Sequence, residues 1–84
     1  MIKDEKALLL MIGRKIRDAR NKKGILMRDA AQRAGMHVNT ALRIEDGDNV
    51  RLDFVLSYIK AIDDHGDAFR QVFDFSEQQS RAWR

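Results

Sequence analysis

The sequence predicts an all-α fold, a single five-helix domain over residues 1–75 with a polar tail over 76–84. Three observations carry this. Leu9, Ile12, Ile16 and Ala19 recur at the three- and four-residue spacing of a helix's inner face. No segment alternates apolar and polar residues as a half-buried strand does. Between residues 27 and 47, small and apolar residues fall where two short helices joined by a tight turn need them. Eighty-four residues make one domain, near the lower limit for a self-sufficient core, so a dimer is expected to supply the missing burial.

The first helix is expected to start near Asp4 and to stop at Lys23 and Gly24, with Gly24 as its C-cap. Helices over 27–34, 38–46 and 53–63 follow. The last of these turns Leu52, Val55, Leu56 and Ile59 inward. Asp63–Asp67 reads as a helix end, with Gly66 as a left-handed cap and Asp67 capping the next helix. A short fifth helix over 67–73 is predicted from Phe69, Val72 and Phe73 at i, i+3 and i+4, before the tail that ends in Ala82, Trp83 and Arg84.

The 27–47 segment has a steric logic at each position. Two helices that cross steeply bring their backbones together over Ala31, where a longer side chain would push the second helix away. Gly35 reverses the chain at positive φ without a Cβ clash. Ala30, Ala34, Met36, Ala41 and Ile44 give both helices one shared buried side, which leaves the opposite side of the second helix available. This is the spacing of a helix-turn-helix whose second helix reads the DNA major groove.

Gly13–Arg20, then Lys23 and Gly24, then Asp29–Gly35, then Arg43–Gly47 occur in the order and at the distances of the lambda-repressor/Cro-like (XRE-type) family, which the chain resembles over roughly residues 12 to 62. Leu52–Ile62 is similar to that family's fourth helix. The resemblance implies a dimeric, sequence-specific regulator of double-stranded DNA, of repressor type and without a cofactor. It implies base-edge roles for Val38, Asn39 and Arg43, flanked by His37 and Thr40. Asn39 suits an adenine edge, Arg43 a guanine, and Val38 a thymine methyl. Glu45 is implied to tie the recognition helix to its scaffold, with Arg14 and Arg17 as candidate partners. The chain departs from the family at the start of the second helix, where Leu26 and Met27 replace the usual hydroxyl and Gln, so the side-chain cap there is lost.

Charge is distributed unevenly. Residues 1–47 hold 11 Lys/Arg against 6 Asp/Glu, and residues 48–84 hold 5 against 7, which together give the net +3. Arg14, Lys15, Arg17, Arg20, Lys22 and Lys23 crowd the end of the first helix, and Arg20, Lys22 and Lys23, with Arg28, are the expected phosphate contacts. The chain contains no cysteine, hence no disulfide or thiolate metal site, and no apolar run near the length of a membrane span. Its N-terminus lacks the features of a secretory signal, so the chain reads as cytoplasmic. Asp63, Asp64, His65 and Asp67 form the one dense group of ligand-type residues, without the spacing of an EF-hand or zinc site. With two histidines and no glycine-rich phosphate loop, an enzyme is not expected.

Phe69, Val72, Phe73 and Phe75 supply the candidate dimer surface, with Leu8–Met11 as the alternative. A rival reading is an antitoxin of the HipB or HigA type, which sequesters a toxin protein and regulates its own operon. The similarity of Val50–Leu56 to such chains and a docking role for Trp83 favour it.

Overall fold

In the computed structural model, which describes residues 4–62, 70, 72 and 73, the chain forms four helices: α1 (Glu5–Lys22), α2 (Met27–Ala34), α3 (Val38–Glu45) and α4 (Leu52–Ile62). There is no strand among the described residues. Asp4 starts α1 by accepting a 2.8 Å hydrogen bond from the Ala7 N–H, which satisfies one of the amides a helix start leaves orphaned. α2 starts at Leu26 with no side-chain cap, as the missing hydroxyl implies. The expected fifth helix and the Asp63–Asp67 group fall largely or wholly outside the described residues.

α1, α2 and α3 end alike. In each, a glycine at positive φ (Gly24 at 68°, Gly35 at 72°, Gly47 at 82°) reverses the chain, and the following residue donates its N–H five residues back. These bonds run from Ile25 to Arg20 (3.2 Å), Met36 to Ala31 (3.0 Å) and Asp48 to Arg43 (2.9 Å), while each glycine N–H bonds three residues back. The paired bonds make a Schellman motif, which satisfies the last carbonyls without side-chain help. Sharp stops of this kind let three short helices follow one another with connections of only a few residues.

The core is built from Ile16 and Ala19 of α1, Ala30 and Ala31 of α2, Ala41 and Ile44 of α3, and Tyr58, Ile59 and Ile62 of α4, with Val72 added from beyond α4. Where α2 meets α3 the buried residues are alanines, so the two backbones approach closely, as expected for Ala31. Bulk comes instead from isoleucines and the tyrosine, each worth about 1.5–3 kcal/mol when buried. The inward stripe of α4 differs from expectation. Leu52 is 65% exposed and Leu56 is also exposed, while Val55, Tyr58, Ile59 and Ile62 face inward. The residues fit a helical stripe either way. Extending it past Leu56 to Tyr58 and Ile62 rotates the buried face away from Leu52.

α1 lies against the end of α3 at backbone distance. A Cβ on Gly13 would stand 2.5 Å from the Glu45 carbonyl oxygen and 2.8 Å from that of Ile44; one on Gly47 would stand 2.7 Å from the Leu10 Cα. Two glycines, one on each element, thus let the helices touch. In an exposed helix interior, Gly→Ala stabilises by about 1 kcal/mol. Gly13→Ala is expected to do the opposite and destabilise by about 2–3 kcal/mol, because the clash is with backbone that cannot turn aside. Gly24→Ala meets nothing within 4 Å and should cost only the strain of its positive φ. Denaturant midpoints of the two variants check this, and an unchanged or raised midpoint for Gly13→Ala would rule out the close contact.

Candidate nucleic-acid interface

α3 is only eight residues long and has two sharply different sides. Ala41, Ile44 and Glu45 are buried, whereas Val38 (38% exposed), Asn39, Leu42 (44% exposed) and Arg43 look outward. The helix starts at His37, whose Nδ1 accepts a 3.1 Å hydrogen bond from the Asn39 N–H. An accepting Nδ1 leaves the neutral ring's proton on Nε2, so the exposed histidine keeps one donor. Thr40 is half-buried on the flank. Near the helix end, Arg43 Nε lies 3.6 Å from Asp48 Oδ2, too long for a hydrogen bond and on exposed side chains, so the pair holds Arg43 only lightly.

Behind this outward face, Glu45 is 2% exposed and accepts from three side chains. Arg20 donates from Nε to Oε2 at 2.7 Å and from Nη2 to Oε1 at 3.1 Å; Arg17 donates from Nε to Oε1 at 3.2 Å; the Tyr58 hydroxyl donates to Oε2. Arg17 also reaches Asp46 at 3.0 Å, and Arg20 Nη1 donates to the Ile25 carbonyl at 2.8 Å. One carboxylate therefore joins α1, α3, α4 and the link into α2. It also fixes where α3 lies.

The implied structural role of Glu45 agrees with this geometry, and Arg17 is one of the two partners expected. Two assignments change. Arg14 is exposed and makes no bond to Glu45; Arg20 takes that place. Arg20 is then no phosphate contact, because its guanidinium is spent on Glu45 and Ile25 and its side chain is only 12% exposed. The reason lies in the α1 face. Gly13, Arg17 and Arg20 share the side that meets the end of α3, whereas Arg14 points away. Lys22, Lys23 and Arg28 are exposed. Val72 is also reassigned, since it is buried in the chain's own core and unavailable to a second copy. Phe73 is 40% exposed, and Phe69 and Phe75 lie outside the described residues. Leu42 and Tyr58 were not singled out from the sequence. Leu42 lies one turn after Val38, so helical spacing alone would have found it. Tyr58 lies one turn before Ile62, but the stripe through Leu52 fits the same period, and only packing decides between them.

Among the described residues no group of His, Cys, Asp or Glu is arranged to hold a metal, and no helix is long and apolar enough to cross a membrane. No protein-family model matches this chain, no curated protein matches it, and no solved structure does. What the face can do follows from its own side chains.

Burial alone would raise the pKa of the Glu45 carboxyl, but hydrogen bonds from Arg20, Tyr58 and Arg17, with the Arg20 charge, outweigh it and hold the group below its ordinary 4.5. Burial and the hydrogen bond to Glu45 push the Tyr58 hydroxyl well above its ordinary 10.0. A lowered folded pKa means that the contribution of Glu45 is fully present above 4.5 and is lost as pH falls through the folded value. A raised one means that the contribution of Tyr58 is fully present below 10 and is lost as pH climbs above it. Stability measured by denaturation across pH should therefore fall at both ends. Tyr58 is the single tyrosine, so its phenolate absorbance should emerge only as the chain unfolds in alkali. Glu45→Ala should cost about 3 kcal/mol, at the low end for a broken buried pair because Arg17 can rehydrate. Phenolate that titrates near pH 10 in the folded chain would contradict the buried bond.

Proposed function

We propose that this chain is a sequence-specific, double-stranded-DNA-binding transcriptional regulator of repressor type, acting as a homodimer without a cofactor and without enzymatic activity. In this reading α2, the three-residue turn and α3 are a helix-turn-helix of the lambda-repressor/Cro-like kind, and the outward side of α3 enters the major groove. The observation that carries it is that side itself. Asn39 and Arg43, two residue types that pair bidentately with purine edges, stand exposed one turn apart on a helix whose opposite side is locked by a buried ion cluster. Base readers need such a rigid mount, because small displacements cost specificity. The excess of cations in residues 1–47, with Lys22, Lys23 and Arg28 exposed, suits the phosphate backbone. The order of motif segments along residues 12 to 62 supports the same reading.

Selection of bound sequences from random duplex DNA at a stated salt concentration tests it directly. Asn39→Ala and Arg43→Ala should each weaken binding to the selected site by about 1–3 kcal/mol and relax preference at one base pair, with folding stability unchanged. Equal affinity of both variants and the parent would remove α3 from the interface. One observation favours the antitoxin reading instead: Leu52, Phe54 and Leu56 are exposed within the segment similar to such chains, and apolar surface of this kind suits a protein partner. A parent chain that enriches no DNA would favour it.

One eight-residue recognition helix spans few base pairs, and a two-fold dimer doubles the site at a half-site spacing of about 34 Å. Of the aromatic surface expected to pair two copies, Phe73 is the described residue that remains exposed. Removal of everything after residue 64 would also take Val72 from the core, so a point change is the cleaner probe. Phe73→Lys should shift sedimentation at micromolar concentration from dimer to monomer while leaving the helical content intact. A dimer that persists in this variant would transfer the contact to the Leu8 and Leu10 side of α1.

A further inference from the structure

Resting on the reading above that α3 enters the major groove, we infer that Val38 and Leu42 form an apolar row that reads the C5-methyl groups of pyrimidines, so that each half-site carries thymine, or 5-methylcytosine, at two positions about two base steps apart. Leu42 is the unexplained residue on this helix. It is 44% exposed on the outward side, while the inner side is already filled by Ala41, Ile44 and Glu45. Val38, 38% exposed, stands one turn before it. Residues four apart on a helix lie on the same side and about 6 Å apart along the axis.

Beside this row runs a second with the same spacing, Asn39 and Arg43. The face is therefore two parallel strips, one apolar and one polar. A major groove offers a match to both at this scale. Purine edges present acceptors and the adenine amino group to the polar strip, and the C5-methyl is the apolar group that a base displays there. With base pairs about 3.4 Å apart, 6 Å spans roughly two steps. Charge favours this occupant over a dry protein surface. The strip that borders Leu42 contains Arg43, and the surrounding half of the chain is cationic, whereas burial of Arg43 against an apolar partner would strand its charge.

The test uses the full-length protein and the duplex that selection returns. Thymines are replaced one at a time by uracil, which deletes the methyl and keeps every hydrogen-bonding group. At two positions in each half-site, affinity should fall about fourfold, the worth of one methyl taken out of water. Leu42→Ala should bind the parent duplex more weakly and become indifferent to uracil at one of those positions, and Val38→Ala at the other, while Asn39→Ala keeps both sensitivities. Both side chains are substantially exposed, so the two variants should fold, which matching denaturation midpoints verify. A fully uracil-substituted duplex bound as tightly as the thymine one overturns the inference while leaving major-groove binding intact. So does a uracil penalty that survives in both Val38→Ala and Leu42→Ala. A parent that enriches no duplex overturns the underlying reading as well, and assigns the row to a protein partner.

Discussion

Glu45 holds a full negative charge where almost no water reaches it, and the rest of the molecule is arranged to make that tolerable. An unpaired carboxylate at such a site would cost several kcal/mol, or would take up a proton. Here two guanidinium groups from α1 and the Tyr58 hydroxyl from α4 converge on its two oxygens, and Arg20 passes the connection on to the Ile25 carbonyl before α2. The cluster is satisfied only when α1, α3 and α4 are all in place. No pair of these helices can shift without leaving a charge or a hydroxyl unmatched, so the cluster acts as a registry pin for a core too small to fix geometry by packing alone.

Close backbone approach makes that convergence reachable. Arginine side chains are long, yet Arg17 and Arg20 meet Glu45 as short, directed bonds because Gly13 lets α1 rest on the very carbonyls that end α3. Alanines perform the same service between α2 and α3. Small residues at contacts and charged residues just beside them are two halves of one solution, in which short helices cross tightly and ionic bonds then lock the crossing angle. The dividend appears on the far side of α3, where Val38, Asn39, Leu42 and Arg43 are held in a fixed array without making structural contacts of consequence.

Much of this was legible in the sequence. Helix boundaries followed from Asp4 and from glycines placed just after helical runs, because capping and left-handed reversal are local chemistry that a few neighbouring residues decide. The buried side of α3 and its available side followed from helical spacing for the same reason. The structural role of Glu45 was legible only through resemblance, since nothing local marks a glutamate as buried.

Local chemistry, then, determined the helices, their ends and the exposed character of Asn39 and Arg43. Tertiary structure decided which arginine serves Glu45, where Tyr58 and Val72 go, and which leucines of α4 stay in water. Those outcomes depend on how one helix is rotated against another. A rotation of a few tens of degrees exchanges Leu52 for Tyr58 at the core, and both choices satisfy the same helical period. Only the joint requirement to fill one interior and to match one buried charge selects between them, and that requirement exists only once the helices meet.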